Sequence, residues 1–241
     1  MKSLSIFILV LASLVVSCSN KTDDSNEVQT NLQDYFFPSD SLDPYIYVYA
    51  EEGNPLDEKI YRIYKLITPD KEQLIVERYN SNFRITEGYT YDLKDDLEVY
   101  DHMVVDAQGE KRKAKLTKAS WFPVNDSEPS VFISDFPAHI DSLVGVYKSE
   151  KKVVGRNNYE IFNSKTEAVE LKDEVTLSFV NPTTKNGSSN SLVFHRVYAK
   201  GFGLTEWFTE DKKIHYKLKR ILSNDWWKEH AQGPSVKGFL E

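Results

Sequence analysis

From Tyr45 onward the chain alternates apolar and polar residues with a period of two. Phe83, Ile85, Tyr89 and Tyr91 are interleaved with Arg84, Thr86 and Thr90; Leu97, Val99, Met103 and Val105 share a parity, as do Val175, Leu177 and Phe179. Ile214, Tyr216 and Leu218 face one way, and Lys213, His215, Lys217 and Lys219 the other. Side chains on a strand point alternately to opposite faces, so the pattern predicts strands with one buried and one wet face. Turn chemistry falls between them, at Thr68–Lys71, Asp92–Asp96, Ala107–Glu110 and Glu210–Lys212. Strands joined by short polar turns pair antiparallel, so Lys59–Ala119 reads as a meander of about five strands. Pro182–Ser191, with Asn186-Gly187-Ser188-Ser189, reads as a long exposed loop. Helical character is confined to Asn26–Phe36 and Asp225–Ala231, the latter with Asn224 as its N-cap. The predicted class is mostly β: an antiparallel meander forming a curved sheet, half-barrel or sandwich, with few short helices. Residues 35–241 are expected to form a single domain, since about 200 residues suffice for one real core. No internal repeat or clean linker interrupts them.

The start of the chain is different. Met1-Lys2-Ser3 precedes the apolar run Leu4–Val16, which has the length of a signal-peptide core and is too short to span a bilayer. Val15-Val16-Ser17-Cys18 resembles the lipobox of bacterial lipoproteins, which implies a leader over 1–17 and a lipid on Cys18. The competing reading is an ordinary secretory signal with Cys18 near the cut. Two or three acyl chains on one residue anchor a protein stably without a transmembrane helix. Ser19–Glu27 is polar and acidic, so 18–34 reads as a flexible tether. Lipoproteins of the Bacteroidota carry an acidic stretch behind the cysteine as a surface-export signal, and Lys21 with Asp23-Asp24 resembles it. The resemblance implies the outer membrane, facing the cell surface, with a periplasmic orientation as the alternative.

Composition narrows the chemistry. The formal net charge is −7, from 30 Lys and Arg against 37 Asp and Glu, and mean hydropathy is −0.49. Phosphate binding needs an excess of basic residues, so nucleic acid is not an expected partner. Cys18 is the only cysteine; once acylated it leaves no thiol for a disulfide, a nucleophile or a metal. His102, His139, His195, His215 and His230 lack metal-ligand spacing, and HExxH, GxSxG and SxxK motifs are absent. His102 and His215 fall on the wet parity of their strands. Asp92, Asp95 and Asp96 lack the later glutamate of a calcium loop and read as a hairpin turn. Pairs such as Glu51-Glu52 and Asp173-Glu174 are common in an acidic chain. Catalytic residues, metal and cofactor are therefore all predicted to be none.

Three features are candidate binding sites. Lys111, Arg112, Lys113, Lys115 and Lys118 make a basic stretch. It reads either as an edge strand guarded by lysine or as a contact for anionic lipid headgroups. Trp226 and Trp227, with Trp207, form either a sugar-stacking or partner patch or a short helix burying one indole. Asp40-Ser41-Leu42 and Asp141-Ser142-Leu143 resemble the Bacteroidota O-glycosylation acceptor, implying Ser41 and Ser142 as modified residues. Tyr198-Ala199-Lys200-Gly201-Phe202-Gly203-Leu204 resembles the ending of envelope lipoproteins with curved sheets, of the general kind to which the carriers LolA and LolB belong. Tyr35-Phe36-Phe37-Pro38 resembles their entry. Gly201 and Gly203 read as a bend between strands. The functional expectation is a non-enzymatic binding or assembly platform for a protein or glycan partner at the outer membrane. The alternative is a lipid or lipoprotein carrier holding acyl chains in a curved sheet. Aromatic residues, 13% of the chain, serve either.

Overall fold

The computed structural model describes residues 32–38, 42–94, 97–106, 108–138, 140 and 142–231. The leader, Cys18, residues 18–31 of the expected tether, Ser41, Asp95, Asp96 and His139 lie outside them. Thirteen strands make one antiparallel sheet within the unit Asn31–Glu241. They are β1 (Tyr45–Glu51), β2 (Glu58–Ile67), β3 (Glu72–Asn80), β4 (Ile85–Asp92), β5 (Val99–Val105), β6 (Lys111–Lys113) and β7 (Lys115–Ala119). The second half supplies β8 (Ser130–Pro137), β9 (Val144–Ile161), β10 (Ser164–Val180), β11 (Gly187–Ala199), β12 (Gly203–Thr209) and β13 (His215–Leu222), followed by helix α1 (Asn224–His230).

Neighbours in the sheet are neighbours in sequence, except that β1 pairs with β13 and so joins the first and last strands. The two ends of the sheet are β6 and β7, which only Ala114 separates. β6 bonds to β5 and β7 to β8, while Glu98 and Ser120 form a further bridge. Residues 111–119 thus act as one bent strand that curls the sheet into a nearly closed barrel.

One end of this barrel is plugged. A 3-10 turn, Leu32–Tyr35, leads Phe36 and Phe37 into the lumen, and Leu32 is fully buried. Leu32 falls inside the expected tether of 18–34, and it is packed in the core. The Phe36 ring meets Tyr91, Phe122 and Tyr198 at centroid distances of 5.0, 5.4 and 6.3 Å. Gly203, at φ +78°, lets the β11–β12 turn pass the plug, since a Cβ there would lie 2.6 Å from the Phe37 ring.

The outer face of β1–β4 is also covered. Ser223, one residue before the expected cap, accepts a hydrogen bond from Trp226 N and starts α1. The helix lays Trp227 on Ile46, Val48, Ile60, Tyr79 and Ile85. Bulges decide which side chains face which way. Thr86 is an extra residue opposite Arg78/Tyr79, so Ile85 faces α1 while Tyr89 and Tyr91 face the lumen. Tyr100 is extra opposite Thr90/Tyr91, and this turns His102 inward, where it is 1% exposed. Its predicted wet parity is therefore wrong: one inserted residue reverses the alternation.

At the open end, β10 and β11 stay in register from Ala168↔Ala199 to Val180↔Gly187. The long loop expected over Pro182–Ser191 shrinks to residues 181–186. Gly187–Ser191 is strand, supported by hydroxyl bonds between Ser178 and Ser189 (3.0 Å) and between Thr176 and Ser191 (2.9 Å).

Candidate functional site

The residues singled out in the sequence do not converge. Lys113, Lys115 and Lys118 are exposed on the outer surface of the closing strand and Lys111 is half-buried there. Arg112 pairs with Asp106 (2.9 Å) and Glu110, and Lys113 with Asp101, so neighbouring carboxylates offset much of the basic stretch. The expected aromatic patch does not form. Trp207 lies in the lumen at 8% exposure, stacked on Tyr216, whereas Trp227 is 5% exposed beneath α1 in a separate cluster. Only Trp226 is half-buried, stacked on His230. Ser142 is exposed in a turn. His215 keeps its outward parity but pairs with Glu206 at 2.6 Å, and His195 pairs with Glu170 at 2.6 Å. Among the described residues no helix is long and apolar enough to cross a membrane, and no group of three or more His, Cys, Asp or Glu is placed to hold a metal.

The structure instead brings together charged residues inside the barrel, toward the open end. On one wall Arg78 Nη1 donates to Glu87 Oε2 at 2.6 Å. His102 Nε2 lies 3.3 Å from Glu87 Oε1, and its Nδ1 lies 3.0 Å from Ser134 Oγ. The Arg78 guanidinium sits over Tyr61 and Tyr89, at 5.0 and 4.9 Å from their centroids. On the facing wall Lys151 Nζ donates to Ser149 Oγ (2.7 Å), Ser149 donates to Asp173 Oδ1 (2.6 Å), and Arg196 Nε donates to Asp173 Oδ2 (2.6 Å). Lys151 and Asp173 are fully buried, and the Lys151 ammonium lies 3.7 Å from the Trp121 centroid. Arg78 and Glu87 point inward yet keep 21% and 25% of their side chains open. Solvent thus reaches these two inward-facing groups.

Electrostatics bind the two walls into one site. Burial alone would push the Glu87 carboxyl up, but Arg78, His102 and Tyr89 outweigh it and hold it well below the usual carboxylate range. Burial likewise opposes ionisation of Asp173, and Lys151, Arg196 and Ser149 overcome it. Burial pulls the Lys151 ammonium down to about 7, against the upward pull of Asp173. Tyr147 feels both groups: burial and then Asp173 and Glu87 push its phenol up, while Arg196 and Arg78 pull it down. Arg78 Nε is buried with no hydrogen-bond partner among the described residues.

Ser134, His102 and Glu87 are the residue types of a hydrolase triad. Ser134 is wholly enclosed, however, so its Oγ offers no open side to a carbonyl carbon, and here the three bridge strands. Nothing in the sequence pointed to the site, because charged residues at lumen positions read as the wet side of a strand. The one available signal was the density of tyrosine around them.

No protein-family model matches the chain, and no curated protein matches it. Among solved structures it is similar to a candidate lipoprotein from Parabacteroides distasonis, at 8% identity and TM-score 0.45 over 78% of this chain and 98% of that one. It is also similar to a candidate exported protein with a YmcC-like fold from Bacteroides fragilis, at 11% identity and TM-score 0.35 over 78% and 99%. Likeness at these scores carries no argument about role.

Proposed function

We propose that this chain is a non-enzymatic binding platform of the bacterial envelope, anchored at the outer membrane by lipid on Cys18, whose open barrel end receives a glycan. The observation that supports this best is the lining of the partly open lumen, where Arg78, Glu87, Arg196 and Tyr147 present charges and a phenol rather than aliphatic surface. An acyl chain entering there would strip water from ion pairs without replacing its hydrogen bonds, at a cost of several kcal/mol. Sugar hydroxyls and acid groups would meet the accessible part of the Arg78 guanidinium and of the Glu87 carboxylate, which keep 21% and 25% of their side chains open. A glycan therefore suits this end of the lumen better than a lipid.

The test uses the chain carrying Cys18→Ser. Titration with acidic and neutral oligosaccharides, followed by intrinsic fluorescence, should give a saturable change that weakens at least tenfold in Arg78→Lys, which keeps the charge and loses the planar fork. Lipid copurifying in native mass spectrometry, with no response to any oligosaccharide, would return the role to a carrier. Labelled palmitate should incorporate into the unsubstituted chain and not into Cys18→Ser. Protease treatment of intact cells distinguishes a surface-facing body from a periplasmic one.

A further inference from the structure

β12 pairs with β11 only from Phe194 onward, so among the described residues Gly187–Val193 has β10 on one side and no strand on the other. Residues 187–192 are exposed. Asn181 N donates to Asn186 O at 2.8 Å, which sets the phase of the β10–β11 ladder. Antiparallel pairs alternate between those that exchange hydrogen bonds and those that do not. Ser188, Asn190 and Leu192 therefore direct their amides to β10, while Gly187, Ser189, Ser191 and Val193 direct N–H and C=O to the open side.

Open strand edges template further pairing, and proteins guard them with lysine, proline or bulges. β6 and β7 follow that rule, with Lys111, Lys113, Lys115 and Lys118. Gly187-Ser188-Ser189-Asn190-Ser191-Leu192-Val193 has no charge and no proline, and its register with β10 is unbroken.

We propose that this edge is an interface between two copies of the chain, pairing β11 with β11 antiparallel about Asn190 so that one sheet runs through both barrels. The parity fits. Residue 187 against 193 and 189 against 191 brings outward amides together as bonded pairs, with Asn190 facing Asn190 in a non-bonded pair, for about eight backbone hydrogen bonds. Twofold pairing sets the same strand against itself, and a strand without charges meets no like-charge penalty when it does so. Past Val193 the incoming strand meets the end of β12. There Lys185 of each copy reaches the Glu210-Asp211 turn of the other, opposite in sign.

Sedimentation equilibrium of the chain carrying Cys18→Ser should show a monomer–dimer equilibrium. Ser189→Pro with Ser191→Pro removes two outward N–H groups and, besides them, only the exposed hydroxyl bonds to Ser178 and Thr176, so the barrel's melting profile should persist while dimerisation weakens at least tenfold. Ser189→Lys with Ser191→Lys should abolish the dimer at low salt. Ser189→Lys with Ser191→Glu sets opposite charges across the axis and should restore it. A monomer at every concentration, a dimer indifferent to the proline and lysine pairs, or a Lys/Glu pair that stays monomeric while folded would each overturn the proposal.

Discussion

The plugged and open ends of the barrel are lined by the same strands but filled with opposite chemistry. At the plugged end Leu32, Phe36, Tyr91, Phe122 and Tyr198 are all 2% exposed or less, with rings meeting edge to face. Toward the open end the lumen positions are Arg78, Glu87, Lys151, Asp173 and Arg196. β10 carries both kinds, Val169 and Leu171 in the apolar core and Asp173 two residues on. Burying charges gives less stability than packed hydrocarbon of the same volume. The plugged end therefore supplies the fold, and the charged end is maintained at its expense, as expected of a site that meets a polar partner.

The strongest test of this division is Phe36→Ala. Its ring is 2% exposed and touches Phe37, Tyr91, Phe122 and Tyr198, so its loss should cost about 3–5 kcal/mol in urea unfolding. A loss near zero would mean that the plug is not part of the core. Asp173→Asn should cost roughly 3 kcal/mol, because it leaves Arg196 and Lys151 buried without their carboxylate. Replacing Asp173, Lys151 and Arg196 together by Leu, Met and Met should recover most of that loss while abolishing oligosaccharide binding. If the triple replacement were as damaged as Asp173→Asn, the charges would be serving the fold.

Acidity separates the ends further. Lys151 has its folded pKa lowered from 10.5 to about 7. Between those values the unfolded chain binds more protons than the folded one, so this group makes stability rise with pH across that window. Glu87 and Asp173 are held below their ordinary values, so their contribution is present above the unfolded carboxylate range and lost as pH falls through the folded pKa. Lys151→Met should remove the rise between pH 7 and 10.5 and shrink the Asp173 share of the acid limb, which Lys151 helps to hold down, while leaving the Glu87 share. Phe36→Ala should lower the whole profile without changing its shape. An alkaline limb unchanged in Lys151→Met would show that the lysine is not enclosed.

Period-two alternation made the mostly β, antiparallel class legible, and the bend at Gly201 and Gly203 was legible because glycine there marks positive φ or a close approach. Face assignment failed where bulges intervene. Phe83 and Ile85 share a parity with Tyr89 yet lie on the opposite face, and Tyr100 turns His102 inward. A single sequence does not mark which residue will be the extra one. The charged site was hidden for a related reason: alternation treats every polar residue as wet, and Lys151 and Asp173 violate that by satisfying one another. Small polar residues misled in the other direction, since Ser188–Ser191 suggest a loop but form a strand whose hydroxyls bond across to β10.

The smallest expected effect lies on the blade formed by β10 and β11 beyond the barrel, where the distinction between inside and outside weakens. Leu177 has lumen parity, opposite Tyr147, but is only half-buried, whereas Val99 near the plugged end is 2% exposed. Val99→Asp should unfold the domain, since an unpaired buried charge costs several kcal/mol. Leu177→Asp should cost about 1 kcal/mol, the typical value for a partly open site. Thr176→Asp, one residue away on the outer face, should cost about 0.5 kcal/mol or less, because Lys148 stands directly across the strand pair and offsets the loss of the Ser191 hydroxyl bond. Urea midpoints of the three variants give the ranking. If Leu177→Asp proved as severe as Val99→Asp, the lumen would be closed as far as the blade, and no ligand could reach Arg78 and Glu87 from that end.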